Sequence, residues 1–357
     1  MGGSVRSLLW SNLTYGLIPF IFGQNAGLSG EAMKAAEEPI LIEVLTRLNE
    51  YGPDDLFICC ASFEERCVAS IQRMSPNFRA RYSIIFVIEE PRHEELVEVN
   101  LAKIQSILSR KTAEGLFVIR CQREDPVDGI GQLKSIWHRC KPKDSEEPFI
   151  TVDISGFTKV YLLGLLHYLV AETNLGLPRM IHTTQSYSPT RLTQGVQQIS
   201  TVTNYFGNIS LEKDNVLVLF LGFEPERALS VWKQFNPTRT IALITAPRDS
   251  NLEYLKYAEK NNEYLLSQPS VEVRQAPADN PWAVRNILES IYDEVKTTYN
   301  MVIGPFGTKP QVVGVFLFWL EHPKVQIVYS FPQEYTKSYL NRKPGQTYLL
   351  PLSLSSK

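Results

Sequence analysis

The chain has no CxxC pair, no basic excess and no low-complexity tract, and each absence removes a class of protein. Its five cysteines, Cys59, Cys60, Cys67, Cys121 and Cys140, all fall in the first half. Without paired spacing they suit neither a zinc site nor a disulfide framework, and they read as reduced core thiols of a cytoplasmic protein. A formal net charge of −2 argues against a protein that tracks long nucleic acid by neutralising phosphates. It leaves room for a small anionic ligand held by a few local cations. No HExxH or GxSxG occurs, and no GxGxxG opens a helix after a strand. His93, His138, His167, His182 and His322 are scattered, and no strand gathers acidic residues with a lysine as a metal-dependent nuclease core would. No cofactor and no metal site is expected, and a binding module is favoured over an enzyme.

Long apolar runs are also missing. The one candidate, Leu8 to Gly23, is broken by Ser11, Asn12, Thr14, Gly16 and Pro19 and falls short of the ~20 apolar residues a spanning helix needs. Arg6 precedes it, but no cleavage site of small residues follows. Residues 8–23 are therefore read as a segment that packs on the body or docks a protein partner. A helix is expected from about Gly30 to Tyr51, with Pro39 as a kink or boundary.

What is present is a repeated α/β pattern. With 357 residues, 44% hydrophobic and 21% charged, the chain has the length of two ordinary soluble domains. From Asp54 short apolar runs alternate with amphipathic stretches, as in parallel strands joined by crossover helices. The first half carries LFICCA, YSIIFVIE, GLFVIRC, PFITVDI and RMIHTT; the second carries VLVLFLG, TIALITA, VEVRQA, YNMVIG and VQIVYS. The expected fold class is thus α/β, with two tandem Rossmann-like units of mostly parallel five-stranded sheets related by duplication. The expected division is an N-terminal segment and helix over 1–52, a first unit over 53–210 and a second over 211–357.

The residues after each strand match more closely than the strands do. Ser62-Phe63-Glu64-Glu65-Arg66 answers Gly222-Phe223-Glu224-Pro225-Glu226-Arg227; Pro91-Arg92 answers Pro247-Arg248; Asp125-Pro126 answers Asn280-Pro281. Gly156-Phe157-Thr158-Lys159 answers Phe306-Gly307-Thr308-Lys309, and Gln185-x-Tyr187 answers Gln333-x-Tyr335. The offsets fall smoothly through 160, 156, 155, 150 and 148. Packing alone can preserve apolar strands, but it does not explain matched turns. In open parallel sheets these turns lie at the carboxyl edge where ligands bind.

Their chemistry suits an anion. Thr158 and Thr308 can cap helices whose first N–H groups attract negative charge, and Lys159 and Lys309 add a cation. A glycine, Gly156 or Gly307, lets the turn tighten. Arg66 and Arg227 stand at helix starts, where the dipole disfavours them, so they either pair with the neighbouring Glu or grip an anion. Arg92 and Arg248 can reach the same edge, and Tyr187 and Tyr335 can stack on a base. Glu64, Glu65 and Asp125 are the candidate acid–base groups of a one-copy enzyme.

The turns DISGFTK and IGPFGTKP resemble the Thr/Ser-Gly-Gly-Thr-Lys turn after the fourth strand of CARF domains, the CRISPR-associated Rossmann fold. Phe157 stands where that pattern has its second glycine. The resemblance implies a tandem sensor module for cyclic or linear oligonucleotide second messengers of antiviral defence, with Thr158, Lys159, Thr308 and Lys309 facing the ligand and a separate effector as partner. Two other readings stand beside it: a nucleotide- or nucleic-acid-processing enzyme with one active copy, and a purely protein-binding subunit.

Overall fold

A computed structural model describes residues 40–41, 53–141, 148–173, 175–186, 191–246, 252–336 and 343–350. In chain order these form β1 (Ile40–Leu41), β2 (Asp54–Ala61), α1 (Arg66–Arg73), β3 (Ala80–Ile88), α2 (Glu94–Leu108), β4 (Thr112–Cys121), α3 (Pro126–Cys140), β5 (Ile150–Asp153) and α4 (Lys159–Leu166). A π-helical turn, His167–Glu172, prolongs α4 before β6 (Arg179–Gln185), β7 (Thr193–Gln194) and β8 (Gln198–Thr201). The second half supplies β9 (Asp214–Leu221), α5 (Pro225–Phe235), β10 (Arg239–Ala246), α6 (Leu252–Leu266), β11 (Val271–Pro277), α7 (Pro281–Val295), β12 (Tyr299–Pro305) and α8 (Lys309–Glu321). It ends with β13 (Gln326–Phe331), β14 (Glu334–Tyr335) and β15 (Pro344–Leu349). All ten apolar runs are strands.

The two sheets have one topology. Five parallel strands run β6-β5-β2-β3-β4 in the first and β13-β12-β9-β10-β11 in the second. In each unit the chain moves outward from the first strand, returns and moves out on the other side. The switch point therefore lies between β2 and β5 and again between β9 and β12, which is the doubly wound arrangement.

Beyond those five strands the halves exchange. β8, from before residue 210, pairs antiparallel with β13 in the second sheet, Phe331 opposite Gln198 and Val328 opposite Thr201. β15, at the far end of the chain, pairs antiparallel with β6 in the first sheet, Leu349 opposite Ile181 and Thr347 opposite Thr183. Between the two crossings β7 pairs antiparallel with β14. Each unit thus covers the open edge of the other, satisfying backbone groups that an edge strand leaves unpaired. Ile40 and Leu41, expected within a helix, are instead a strand opposite Leu349 and Tyr348. The outer edge of β15 offers them a ladder, and β-sheet pairing wins over helical continuation there. The rest of the expected helix and the apolar segment 8–23 lie outside the described residues.

The units are joined through α4 and α8, which pack on one another. Both helices are apolar around their circumference: Val160 to Leu163, Leu165 and Leu166 of α4 are buried, as is α8 from Lys309 to Trp319. A helix that is hydrophobic all round belongs inside. One continuous core runs from Ile58 and Phe86 of the first sheet through Tyr161, Phe316 and Phe318 to Val218 and Leu243 of the second. A smaller cluster of Phe57, Ile85, Val97 and Leu101 fills the other face of the first sheet. All five cysteines are free and buried. No helix among the described residues is long and apolar enough to cross a membrane.

Candidate functional site

The carboxyl edges of both sheets open into one cleft of about 630 Å³, lined by turns of both units. That volume lies within the range of small-molecule sites. Lys159 and Lys309 both line it, and each crosses to the opposite unit. Lys159 Nζ, from the first unit, donates to the Phe306 carbonyl at 2.6 Å. Lys309 Nζ, from the second, donates to the Ser155 carbonyl and lies 3.8 Å from Glu64 Oε2. The packing of α4 on α8 sets this exchange, because the lysines are the first residues of those helices.

The threonines ahead of them are helix caps. Thr158 Oγ1 accepts from Tyr161 N at 3.4 Å. Thr308 forms a reciprocal capping box with Gln311, accepting from Gln311 N at 3.3 Å while its own N–H donates to Gln311 Oε1 at 2.8 Å. Its hydroxyl proton goes to the Ala278 carbonyl. Both threonines line the cleft.

The glycines of these turns serve a different purpose from the one expected. Neither Gly156 nor Gly307 is among the glycines with positive φ. A Cβ on Gly156 would overlap the Cys60 carbonyl oxygen, because the turn after β5 folds directly over the end of β2. In the second unit both turns are tight: a Cβ on Gly307 would overlap Gln311 Oε1 of the capping box, and one on Gly222 would sit 3.0 Å from the Phe306 carbonyl oxygen. The first copy has one close-approach glycine at its switch point, Gly156, and the second has two, Gly222 and Gly307.

The first-strand turns diverge in detail. In the first unit Arg66 Nη2 grips both Glu64 oxygens, at 2.7 and 2.9 Å. In the second, Pro225 lengthens the turn and the pair is parted. Glu224 Oε1 accepts from Leu192 N at 3.0 Å, while Arg227 Nε donates to the Ser330 carbonyl at 2.8 Å. The Arg227 guanidinium lies over the rings of Tyr329 and Phe306, 4.6 and 5.3 Å from their centroids. Its Nη2 is sealed from water without a hydrogen bond, a state that costs about 1–3 kcal/mol.

The remaining sequence candidates divide. Tyr335 lines the cleft, its ring 5.4 Å from that of Phe63, and burial pushes its hydroxyl pKa up. Arg92 is exposed and paired with Glu334, away from the cleft lining. Tyr187 and Arg248 lie outside the described residues. Of the acid–base candidates only Glu64 reaches the cleft. Glu65 is exposed at the start of α1. Asp125 is an exposed cap that accepts from Val127 N at 2.9 Å. Its counterpart Asn280 caps α7 in the same way, accepting from Ala283 N at 3.0 Å. That recurrence is explained by helix initiation, a capping side chain followed by proline at the first helical position.

Other lining residues carry no signal in the repeat. His182, on β6, is buried, and its Nδ1 has no hydrogen bond. Burial, then the charges of Arg66 and Lys309, hold its pKa well below the ordinary histidine range. Arg123 reaches in from the end of β4 and pairs with Glu90 at 3.2 Å. Tyr254 and Tyr329 add aromatic surface in the second unit. The polar His182 inside the apolar run RMIHTT is a usable signal, but a residue without a counterpart in the other half stands outside any comparison of the two copies.

The turns after the first and fourth strands together bring four cations, Arg66, Lys159, Arg227 and Lys309, against two carboxylates, Glu64 and Glu224. Both lysines are held below their ordinary pKa. Burial, then Arg227, lowers Lys159 well below the usual range. Burial, then Arg66, brings Lys309 down to about 8. Such a cluster is poised to accept negative charge, since an anion offsets both the desolvation and the mutual repulsion of the cations.

The sequence matches no protein-family model and no curated protein. Among solved structures the chain is similar to a Type III CRISPR defence DNA nuclease activated by cyclic oligoadenylate, with a TM-score of 0.44 and 9% identity. That likeness covers 74% of this chain and 63% of the nuclease, so the chain spans less than two thirds of its length. A second likeness, to the cytoplasmic domain of a prokaryotic cation chloride cotransporter, has a TM-score of 0.25 and 6% identity over 78% of this chain and 96% of that one.

Proposed function

We propose that the chain is a ligand-sensing module that binds a phosphorylated or nucleotide ligand across its two units and signals to a separate effector. The observation that carries this reading is the reciprocal crossing of Lys159 and Lys309 into one cleft. A pair of lysines at helix starts, kept only as a record of duplication, has no need to meet. Aromatic rings of Phe63, Phe223, Tyr254 and Tyr335 beside the cations suit a base and its phosphate together. The likeness of the two Thr-Lys turns to those of CARF domains supports an oligonucleotide messenger as the ligand class, and antiviral defence as the setting. An enzyme built on Glu64, Glu65 and Asp125 has no common site, because only the first lines the cleft. The effector contact is assigned to residues 8–23, and a cytoplasmic location goes with the reduced thiols.

Thermal-shift measurements against a panel of linear and cyclic oligonucleotides and nucleoside phosphates test this reading. At least one is expected to raise the melting temperature in proportion to the logarithm of its concentration. Absence of any such response across the panel would sink it.

The site also sets a pH dependence. Lys309 is charged below about 8 and neutral above it in the empty protein, and a bound anion raises that value. For a ligand whose phosphates are all diesters, affinity is expected to be level near neutrality. Above pH 8 it falls by a factor approaching ten per unit. A profile flat to pH 9.5 in titration calorimetry would show that Lys309 does not touch the anion.

A further inference from the structure

The two ends of the cleft, though built from matched turns, offer different chemistry. In the first unit Arg66 is chelated by both oxygens of Glu64, so its charge is already answered, and the crossed Lys309 stands 3.8 Å from the same carboxylate. Beside it His182, buried and with an orphaned Nδ1, stays neutral, and Glu64, whose oxygens keep lone pairs beyond those Arg66 uses, lines the cleft. In the second unit Glu224 also lines the cleft, but it accepts from Leu192 N and forms no ion pair with Arg227, whose guanidinium lies over two rings. Its buried Nη2 donor has no acceptor, and the crossed Lys159 stands near enough for the two charges to repel. A buried guanidinium with a free donor and no carboxylate in contact, beside a second cation, is a place for an anion. A carboxylate, a chelated arginine and a neutral imidazole are a place for a neutral group that both donates and accepts, with Lys309 beside them left to an internal phosphodiester.

Building on the sensing reading, we infer that the ligand is end-differentiated. A terminal phosphate goes to Arg227 and Lys159 in the second unit, and a base edge or sugar hydroxyl goes to Glu64 and His182 in the first. The ligand class is then a linear 5′-phosphorylated mono- or oligonucleotide rather than a two-fold symmetric ring. A ring presents identical groups to both ends and leaves one of them mismatched. The matched turns give the pocket two related ends, and Pro225 with the unchelated Arg227 makes those ends unlike.

Titration calorimetry on the full chain decides this, using 5′-phosphorylated linear dinucleotides, the same dinucleotides with a 5′-hydroxyl, and the corresponding cyclic dinucleotides. The phosphorylated linear form is expected to bind at least about tenfold more tightly than either alternative, the effect of one charge-assisted contact. In Arg227→Gln the advantage of the terminal phosphate is expected to vanish, while in Arg66→Gln it persists. Because the three ligand forms are compared on the unaltered protein, the test does not depend on any variant folding. A cyclic dinucleotide that binds as tightly as the linear one, or equal losses in the two variants, overturns the inference and leaves sensing intact. Binding of none of the three forms overturns the inference together with the nucleotide reading on which it rests.

Discussion

Gly156→Ala is expected to destabilise the protein by about 3 kcal/mol or more, the upper range for forced overpacking. The new methyl meets the Cys60 carbonyl oxygen, a backbone atom held at the end of a central parallel strand, and not the mobile tip of a side chain. Relief requires the turn after β5 to lift away from β2. That movement shifts Lys159 at the start of α4, so ligand response and stability fall together. Gly131→Ala is the control. Gly131 is an exposed position within α3, and a methyl added there would meet no atom within 4 Å. Replacing a mid-helix glycine by alanine stabilises by roughly 0.5–1 kcal/mol. The same chemical change thus has opposite signs at the two sites. Denaturant midpoints read this directly, and equal midpoints for the two variants would remove the close-approach account of the switch point.

The strands were legible because parallel strands buried on both faces write continuous apolar runs, and ten of these recur at a regular spacing. The matched turns were legible for the same reason: a duplication compares a chain with itself. What was not legible is non-local. QIST and PGQTYL, the strands that cross between sheets, are short and polar, and nothing in their own composition tells which edge they cover. Thr158, Thr308, Asp125 and Asn280 recur as caps, a role local sequence allows but does not separate from ligand contact. Gly-Phe and Phe-Gly before Thr-Lys match in composition but not in the position of the glycine. In three dimensions Gly156 makes room for the backbone at the end of β2, whereas Gly307 makes room for the Gln311 side chain and the backbone approach of the second copy falls at Gly222. His182 escaped notice because it has no counterpart, yet asymmetry between copies is what a pocket with distinct ends requires.

Replacing both cleft lysines, Lys159→Met with Lys309→Met, is expected to abolish the ligand-induced thermal shift while leaving the empty protein folded and no less stable at pH 7. Each lysine contributes a charge-assisted contact, of which one is worth about 10–100-fold in affinity, so the pair removes more than about 100-fold. Stability moves the other way. Lys309 has a folded pKa of about 8 against 10.5 for the ordinary side chain, so its charge is a cost to the native state on the order of 3 kcal/mol. For a cation with a depressed folded value that cost is fully present below pH 8. It fades between 8 and 10.5, where the unfolded chain still holds the proton that the native state has released. Methionine keeps the apolar stem and removes the charge, and the Ser155 carbonyl that loses its donor is a less demanding group than an orphaned N–H. Wild type should therefore gain on Lys309→Met as pH rises through that window, with the two curves converging near 10.5. A single-variant stability curve parallel to wild type from pH 7 to 10.5 would mean that Lys309 is solvated and not poised. A double variant that still responds to ligand would mean that the crossing of the two lysines serves the joint between the units and not an anion.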